Sequence, residues 1–267
     1  PKRKAEFPLA LFYTYYAFKY KNKINAFLPL GKRGVELYGG YGWPKKMLFP
    51  FLYLPEMTED LPEKDPIADS DRLLRMVYLG RFQNGPKGVD VLLRALDTVG
   101  DADYAIDFVG GYGADLEETM SWIDSRDLAH FAGTWPIEKA CNNLYDYDLC
   151  IVPSRYEGWN VTVNESIMAG TPCICTDECV SDEMVLASGA GLVVKAGSQE
   201  ELANAIQLTL SNRSLVDEWS RSAYRYRKKM TAEVCSDYLL RIIKYLQHAK
   251  GGDKAERPIA PWLESNQ

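Results

Sequence analysis

The chain has 267 residues, of which 46% are hydrophobic and 25% are charged, a composition typical of a soluble globular protein. This length accommodates one large α/β domain, or one domain and part of another. No stretch approaches the roughly 18 uninterrupted apolar residues of a membrane-spanning helix. The first residues also lack the pattern of a signal peptide, so we expect neither an export signal nor a transmembrane anchor.

The net charge of −6 is unevenly distributed along the chain. Residues 1–50 contain ten Lys and Arg against two Glu, a net +8, which leaves −14 for the rest. A basic N-terminal segment fits peripheral contact with an anionic membrane or acceptor, and it fits an ordinary solvated surface equally well. We expect no nucleic-acid partner, because the larger, acidic part would repel phosphate.

Residues 1–50 predict separate α/β elements but no complete domain. A helix is expected over residues 9–23, where core packing is favoured over a position at a membrane surface. Residues 24–30 and 47–54 predict strands, with a short helix starting at Val35 between them. We therefore interpret residues 1–50 as the tail end of a preceding α/β domain that is otherwise absent.

From Leu74 onward, strand and helix patterns alternate. Short apolar runs separated by helical patterns predict an α/β fold with a doubly wound parallel sheet. The expected strands are residues 74–79, 104–109, 129–132, 148–153, 172–176 and 191–194. We predict a sheet domain over residues 51–212, with an acidic loop at 56–72, then helices over 213–250 and a flexible tail over 251–267.

A glycine-bounded loop with two cations follows the first expected strand. It runs from Gly80 through Arg81 and Lys87 to Gly88 and leads directly into a helix. A helix N-terminus attracts anions through its free N–H groups and its dipole. Arg81 and Lys87 would complete a clamp for a diphosphate, since Arg binds oxygen pairs and Lys acts as a point charge. The alternative is a surface loop whose Arg pairs with a carboxylate.

Glycines and an aromatic residue follow the next two strands. Gly110 and Gly111 are interpreted as points of close backbone approach to a ligand, or as a tight turn. They are not a dinucleotide-binding fingerprint, because Leu116 stands where the third glycine would be. Trp135 follows the third strand, where it would either cover a nucleobase or pack against the next helix.

Two glutamates bracket the turn after the fourth strand. Residues 151–176 predict a strand, a turn with Glu157, a helix with Glu165 near its start, and a second strand. In an open α/β sheet, ligands bind outside the carboxyl ends of the strands. Carboxylate oxygens accept hydrogen bonds from neighbouring hydroxyl groups. The two glutamates, the Arg81 and Lys87 clamp and the flat ring of Trp135 together match the hydroxyl groups, the diphosphate and the base of a nucleoside diphosphate sugar.

The cysteines favour buried thiols over a metal site. Cys173, Cys175 and Cys179 are close in sequence, but they lack the second ligand pair or the nearby His of a zinc site. We expect reduced, buried thiols in a cytoplasmic protein and no metal cofactor.

An ordered set of motifs resembles the retaining GT-B glycosyltransferases of family 4. The motifs are Gly80-Arg81 to Lys87-Gly88, Val109-Gly110-Gly111, Pro153-Ser154, Glu157 to Glu165, and Ala169-Gly170-Thr171-Pro172. Glu157 and Glu165 match the Glu-x7-Glu motif of that family in register. The resemblance covers residues 45–210.

The resemblance implies roles for these residues. Arg81 and Lys87 would hold the donor's diphosphate, Glu165 the ribose hydroxyls, and Glu157 the transferred sugar. The remaining donor-site positions would be Gly80, Gly110, Gly111, Trp135 and the backbone amides of Trp159, Asn160 and Val161. The family commonly has Phe-Gly where this chain has Trp159-Asn160, and Glu-Ala where it has Glu165-Ser166. The departure at Trp159-Asn160 bears on which sugar is transferred.

The resemblance also implies a fold and a reaction. In a GT-B fold, two Rossmann-like domains face each other, and this chain would supply mainly the donor domain, with C-terminal helices that cross to the N-terminal acceptor domain. The expected reaction is transfer of a hexosyl-type sugar, with retention of configuration, from a nucleoside diphosphate sugar to a glycan or glycolipid acceptor. No metal is expected. Front-face attack is favoured over a double displacement through Glu157.

Two other functions stay open, namely a non-catalytic nucleotide-sugar-binding module and a GT-B sugar-nucleotide epimerase. An epimerase would need no acceptor. With most of the acceptor domain absent, we expect this chain to transfer sugar poorly on its own. We expect a cytoplasmic location and a role in polysaccharide biosynthesis, with the inner face of a membrane as the site if the basic segment binds lipid. The base, the sugar, the acceptor and the oligomeric state stay open.

Overall fold

The computed structural model describes residues 3–57, 59–68, 71–100, 103–251 and 256–263. The chain divides into two compact units. One comprises Leu54–Thr231 and contains the sheet; the other comprises Pro1–Tyr53 with Ala232–Leu263. Each is described by itself below.

The sheet unit is a six-stranded parallel sheet with helices between successive strands. Its strands are β1 (Leu74–Leu79), β2 (Tyr104–Val109), β3 (Ala129–Phe131), β4 (Leu149–Val152), β5 (Cys173–Thr176) and β6 (Gly191–Val194). The strand order is β3-β2-β1-β4-β5-β6, with every neighbouring pair parallel. The chain thus winds outward from β1 in one direction and then returns to wind outward from β4 in the other. This confirms the predicted doubly wound parallel sheet.

The helices of the sheet unit connect the strands and follow them. They are α3 (Asn84–Lys87), α4 (Val89–Val99), α5 (Leu116–Asp124), α6 (Ala140–Leu144), α7 (Val161–Met168), α8 (Asp182–Ser188), α9 (Gln199–Ser211) and α10 (Arg213–Tyr226). In α4, the spacing of three and four residues places Val89, Leu92 and Leu96 on one buried face. All four residues of β4 and of β5 are buried, as expected for the central strands of a parallel sheet.

The loop predicted at residues 56–72 forms no helix or strand where it is described, but it is held to the sheet unit. The Asp217 carboxylate on α10 accepts hydrogen bonds from the N–H groups of Ile67 (2.8 Å) and Ala68 (3.0 Å). The Lys64 ammonium donates to Tyr147 O and Thr171 Oγ1, each at 2.5 Å. Burial lowers the pKa of Lys64 to about 7. This segment is therefore a fixed strap on the sheet unit.

The second unit contains α1 (Arg3–Tyr20), α2 (Gly31–Gly40) and α11 (Ala232–Gly251). The prediction of strands at residues 24–30 and 47–54 is wrong, because these segments form only isolated bridges between Phe27 and Leu48 and between Leu30 and Phe51. Trp262 is fully buried and contacts the Tyr238 ring edge-on at 5.1 Å. Residues 256–263 of the predicted tail are thus held in this unit, and the end of that tail, 264–267, lies outside the described residues.

The prediction that the first helix packs in a core is confirmed for one face only, where Ala17 lies in a cluster with Trp43 and Leu48. On α1, the side chains of Leu11, Phe12, Tyr15 and Phe18 are at least half exposed, whereas Ala17 is buried. The region predicted as helical from residue 213 to 250 contains α10, which ends at Tyr226, and α11, which begins at Ala232. None of the described helices is both long and apolar enough to cross a membrane.

Candidate functional site

The candidate site lies where the winding of the sheet reverses. β1 and β4 are neighbours, but their connections leave in opposite directions, so a crevice forms beyond their carboxyl ends. The loop after β1 contains Arg81 and Lys87, and the loop after β4 contains Glu157. Residues about 70 positions apart in sequence are therefore adjacent in the fold.

The two loops are in direct backbone contact. Arg155 N–H donates to Pro86 O at 2.9 Å. Gly88 has φ +65°, and a Cβ at this position would lie 2.2 Å from Pro153 O. The position therefore requires glycine, both for its backbone conformation and for its close approach to the second loop. An ion pair between Arg155 and Asp90 of α4 joins the same loops at their side chains.

Glu157 is the centre of the polar contacts between the loops. Its Oε1 accepts hydrogen bonds from Lys87 Nζ at 2.6 Å, Ser154 Oγ at 3.0 Å and Asn160 Nδ2 at 3.3 Å. The side chains of Lys87 and Glu157 are 20% and 15% exposed, so the ion pair is only partly screened by water. The structure thus joins the predicted phosphate-binding lysine to the predicted sugar-binding glutamate.

The N-terminus of α7 opens beside Glu157. Asn160 is its N-cap, and its side chain accepts a hydrogen bond from Thr162 N–H at 3.0 Å. The Asn160 N–H itself donates to Cys179 O at 3.1 Å. Of the three amides predicted to face the donor, that of Asn160 is therefore already used within the protein. Val161, the first residue of α7, is exposed.

Glu165 lies on α7 and is shielded from solvent. Its side chain is buried, at 8% exposure, and this burial raises its pKa to about 7. Burial, and to a lesser extent the charge of Glu165, raises the pKa of the Cys141 thiol on α6 to about 12. A carboxyl group in such a place is costly to ionise unless a partner compensates its charge.

Arg81 stands at the exposed edge of the crevice. Its side chain is exposed, and no ion pair or hydrogen bond engages its guanidinium within the described part of the chain. Its backbone carbonyl accepts a hydrogen bond from Tyr78 Oη at 2.7 Å, and this bond holds the loop backbone against β1. The backbone of Arg81 is therefore held in place, while its guanidinium group stays accessible to a ligand.

The glycines after β2 support the loop that carries Arg81. A Cβ on Gly110 would lie 1.9 Å from Gly80 O, and Gly110 N–H donates to Gly133 O at 2.8 Å. Gly80 N–H donates to Val109 O at 2.9 Å. Gly110 therefore packs closely against the loop after β1, which neither of the two interpretations named, and the approach of these glycines to a ligand stays a prediction. Gly111 lies against Phe131 and Thr134 of the next loop.

Trp135 packs beside the ring of Tyr147, with centroids 5.9 Å apart and planes tilted by 39°. The Tyr147 hydroxyl donates to Asp107 Oδ2 at 2.6 Å. No contact between Trp135 and Lys87, Glu157 or Glu165 occurs among the described side chains. Its predicted place over a nucleobase stays a prediction.

Sequence reasoning missed two contributors to the site. Ser154, which entered only as part of a family motif without a role, donates to Glu157 three positions later. The ion pair of Arg155 with Asp90 had no sequence signal, because its members belong to different loops. All six cysteines are buried thiols, and no cluster of His, Cys, Asp or Glu within the described ranges could hold a metal.

A separate cavity of about 660 Å³ opens at the other end of the sheet. Its lining includes Tyr104 and Ala129, the first residues of β2 and β3, and Trp122 of α5. The Arg126 guanidinium lies 3.9 Å from the centre of the Trp122 ring. Because it lies at the amino ends of the strands, this cavity is remote from Lys87 and Glu157.

Comparison with known proteins gives a family match over most of the sheet unit. Residues 59–226 match the model of the family described as "Glycosyl transferases group 1", which is more than half of the chain. An uncharacterised glycosyltransferase of Methanocaldococcus jannaschii is 23% identical over 161 residues, covering 60% of this chain and 44% of the relative. The match begins in the strap and ends with α10.

Solved structures share the fold. HepE of Anabaena, determined in complex with UDP and glucose, has a TM-score of 0.71 at 13% identity, covering 88% of this chain and 67% of its own. Sucrose-phosphate synthase from Thermosynechococcus elongatus has a TM-score of 0.66 at 20% identity, covering 83% of this chain and 58% of its own. The Rossmann-like sheet unit thus matches GT-B glycosyltransferase structures. The chain spans about half the length of the curated relative and of the synthase.

Proposed function

This chain belongs to the group 1 glycosyl transferases, and we propose that its sheet unit binds a nucleoside diphosphate sugar whose sugar is transferred to an acceptor with retention of configuration. The observation that carries the proposal is the meeting of Lys87 with Glu157 at the point where the sheet reverses, beside the N-terminus of α7. A cation, a carboxylate and helix N–H groups in one crevice match a diphosphate joined to a polyhydroxyl ring.

The cations act on the leaving group. As the bond between sugar and phosphate breaks, negative charge grows on the diphosphate, and fixed positive groups stabilise that charge in the transition state. The Lys87 ammonium has three N–H donors and gives one to Glu157, so the others can reach phosphate oxygens. Arg81, with no partner for its guanidinium among the described residues, supplies a bidentate contact. Each such charge-assisted hydrogen bond contributes about 1.5–3 kcal/mol.

Glu157 orients the transferred sugar. Its Oε1 is saturated by Lys87, Ser154 and Asn160, whereas its Oε2 accepts no hydrogen bond from the side chains that the structure describes. Oε2 can therefore accept from a sugar hydroxyl. A carboxylate that is held by three donors is a weak nucleophile, which supports front-face attack by the acceptor over a covalent intermediate on Glu157.

Glu165 binds the ribose. Two adjacent hydroxyl groups can donate to its two carboxylate oxygens. They would supply the partner that this buried carboxylate needs in order to ionise at neutral pH. Bound nucleotide and the charge of Glu165 therefore stabilise each other.

The proposed acceptor is inferred from the positive charge of residues 1–50 and from the exposed aromatic residues of α1. We propose a glycan or glycolipid acceptor of polysaccharide assembly, presented at a cytoplasmic, anionic membrane surface that the basic residues 1–50 contact. Exposed Phe12, Tyr15 and Phe18 on α1, with Lys19 near its end, support this contact. Co-sedimentation with phosphatidylglycerol vesicles tests it, and equal binding to phosphatidylcholine vesicles or to neither would contradict it.

A ligand panel tests the donor site. UDP, GDP and ADP, and then UDP-glucose, GDP-mannose and ADP-glucose, are each titrated while the melting temperature is followed. One base series should stabilise the protein, and stabilisation by none would refute the proposal. For the series that binds, the anomeric configuration of the product is read by NMR with acceptor present. A product of inverted configuration, or an epimerised donor without acceptor, would contradict retaining transfer.

A further inference from the structure

Lys87 lies on a helix that is too short to hold its own position. α3 contains only Asn84–Lys87, and a single helical turn is unstable in isolation, because it fixes several residues for one hydrogen bond. Lys87 N–H donates to Gln83 O at 3.2 Å, which closes this one turn. The place of the Lys87 ammonium beside Glu157 therefore depends on the contacts between α3 and its neighbours.

Hydrogen bonds from two directions hold α3 in place. At its first residue, Asn84 N–H donates to Asp115 Oδ2 at 2.6 Å. Next to Lys87, Pro86 O accepts a hydrogen bond from Arg155 N–H at 2.9 Å. The Arg155 guanidinium also donates to Asn84 O. Arg155, from the loop after β4, thus contacts two of the four residues of the helix that carries Lys87.

Asp90 at the start of α4 fixes the orientation of Arg155. Arg155 Nη1 donates to Asp90 Oδ1, and Arg155 Nη2 donates to Asp90 Oδ2 at 2.8 Å. Such a bidentate contact sets the plane of the guanidinium as well as its distance. Burial alone would raise the pKa of Asp90, but its hydrogen bonds with Arg155 and Arg94 outweigh this effect and lower the pKa. Asp90 is therefore ionised at neutral pH and holds Arg155 against α3.

We propose that Arg155, held by Asp90, is a positioning residue that places the Lys87 ammonium for the diphosphate of the donor. The inference rests on the proposed function. Arg155 acts through α3 and not on the ligand, because both of its terminal nitrogens, Nη1 and Nη2, already donate hydrogen bonds within the protein. The alternative, in which Arg155 binds phosphate itself, predicts the opposite response when Asp90 loses its charge.

Asp90→Asn separates the two roles, because it removes the charge of the carboxylate and keeps its size. The tightest-binding of UDP, GDP and ADP is titrated by calorimetry. If Arg155 positions Lys87, the loosened α3 should weaken binding of this diphosphate about three- to tenfold. If Arg155 were itself a phosphate ligand, its release from Asp90 would tighten binding. Unchanged or tighter binding would overturn the inference.

The effect should also require Lys87. In the Lys87→Met background, Asp90→Asn should change the affinity for the diphosphate less than twofold, because no ammonium is left to misplace. The same three- to tenfold loss in both backgrounds would indicate general damage to the site and would overturn the inference. The matched control is Asp97→Asn, which breaks the ion pair of the same helix α4 with Arg126, near the amino ends of the strands. It should bind the diphosphate as the wild type does, and a loss equal to that of Asp90→Asn would count against the inference.

A second variant, Arg155→Lys, serves in case Asp90→Asn does not fold. Lysine keeps the positive charge but cannot make the bidentate contact with Asp90. Arg155→Lys should therefore lose as much diphosphate affinity as Asp90→Asn, again only when Lys87 is present. Wild-type affinity of Arg155→Lys, or a loss that persists in the Lys87→Met background, would contradict the inference. Failure of the wild type to bind any of the diphosphates would instead refute the proposed function itself.

Discussion

The charge of Glu165 should oppose folding of the free protein, and Glu165→Gln should reveal this. Burial raises the pKa of Glu165 from 4.5 to about 7. Between these values the folded state binds more protons than the unfolded state. The protonated carboxyl therefore contributes stability that is fully present below about pH 4.5 and is lost as the pH rises through 7. At about 1.36 kcal/mol per pKa unit, this amounts to about 3 kcal/mol.

Denaturant unfolding between pH 4.5 and 8 measures the effect. The free energy of unfolding of Glu165→Gln, relative to wild type, should increase by about 3 kcal/mol over this range, since Gln carries no charge to desolvate. Glu138→Gln is the control, because Glu138 is exposed. Its difference from wild type should not vary with pH. A pH-independent difference for Glu165→Gln, or one that decreases with pH, would refute the reasoning.

The same substitution should weaken nucleotide binding. Gln offers one acceptor oxygen where the ionised carboxylate offers two. At pH 8, Glu165→Gln should therefore be more stable than wild type but bind the nucleoside diphosphate less tightly, as calorimetry would show. A variant that gains stability and keeps full affinity would contradict the ribose-binding role.

Two further changes test the framework of the site. Gly88→Ala should destabilise the protein by more than about 1 kcal/mol and weaken diphosphate binding, because its Cβ would meet Pro153 O at 2.2 Å. Gly85→Ala, whose Cβ meets nothing within 4 Å, should do neither, and equal losses in thermal unfolding would count against the contact. Burial lowers the pKa of Lys64 to about 7, so between pH 7 and 10 the unfolded state binds more protons. Wild-type stability should accordingly rise with pH relative to Lys64→Met in denaturant unfolding, and a constant difference would contradict the burial of the ammonium group.

The sheet could be predicted from the sequence because its strands are buried on both faces. Runs such as that from Leu149 to Val152 are continuously apolar, and the structure confirms all six strands within one residue at each end. The same criterion gave a wrong prediction for the segments at 24–30 and 47–54, because these are also apolar and apolar composition alone predicts a strand. Those segments form only isolated bridges, and pairing depends on tertiary contacts that local sequence does not specify.

The candidate site could be predicted in part. The carboxyl ends of parallel strands meet at one edge, which placed Lys87 and Glu157 near each other. The sequence did not predict their ion pair, because it depends on β1 and β4 being neighbours. Nor did it show that Asn160 N–H is used by Cys179 O, a contact between two loops.

The most direct test of the donor site asks whether Arg81 binds the second phosphate. The nucleoside, its monophosphate and its diphosphate, with the base that binds best, are titrated by calorimetry against wild type and Arg81→Ala. Arg221→Ala, which removes an exposed cation from α10, is the control. Wild type and control should bind the diphosphate far more tightly than the monophosphate, and Arg81→Ala should lose about 10- to 150-fold of that preference. A wild type without the preference, or an Arg81→Ala variant that keeps it in full, would contradict the diphosphate site.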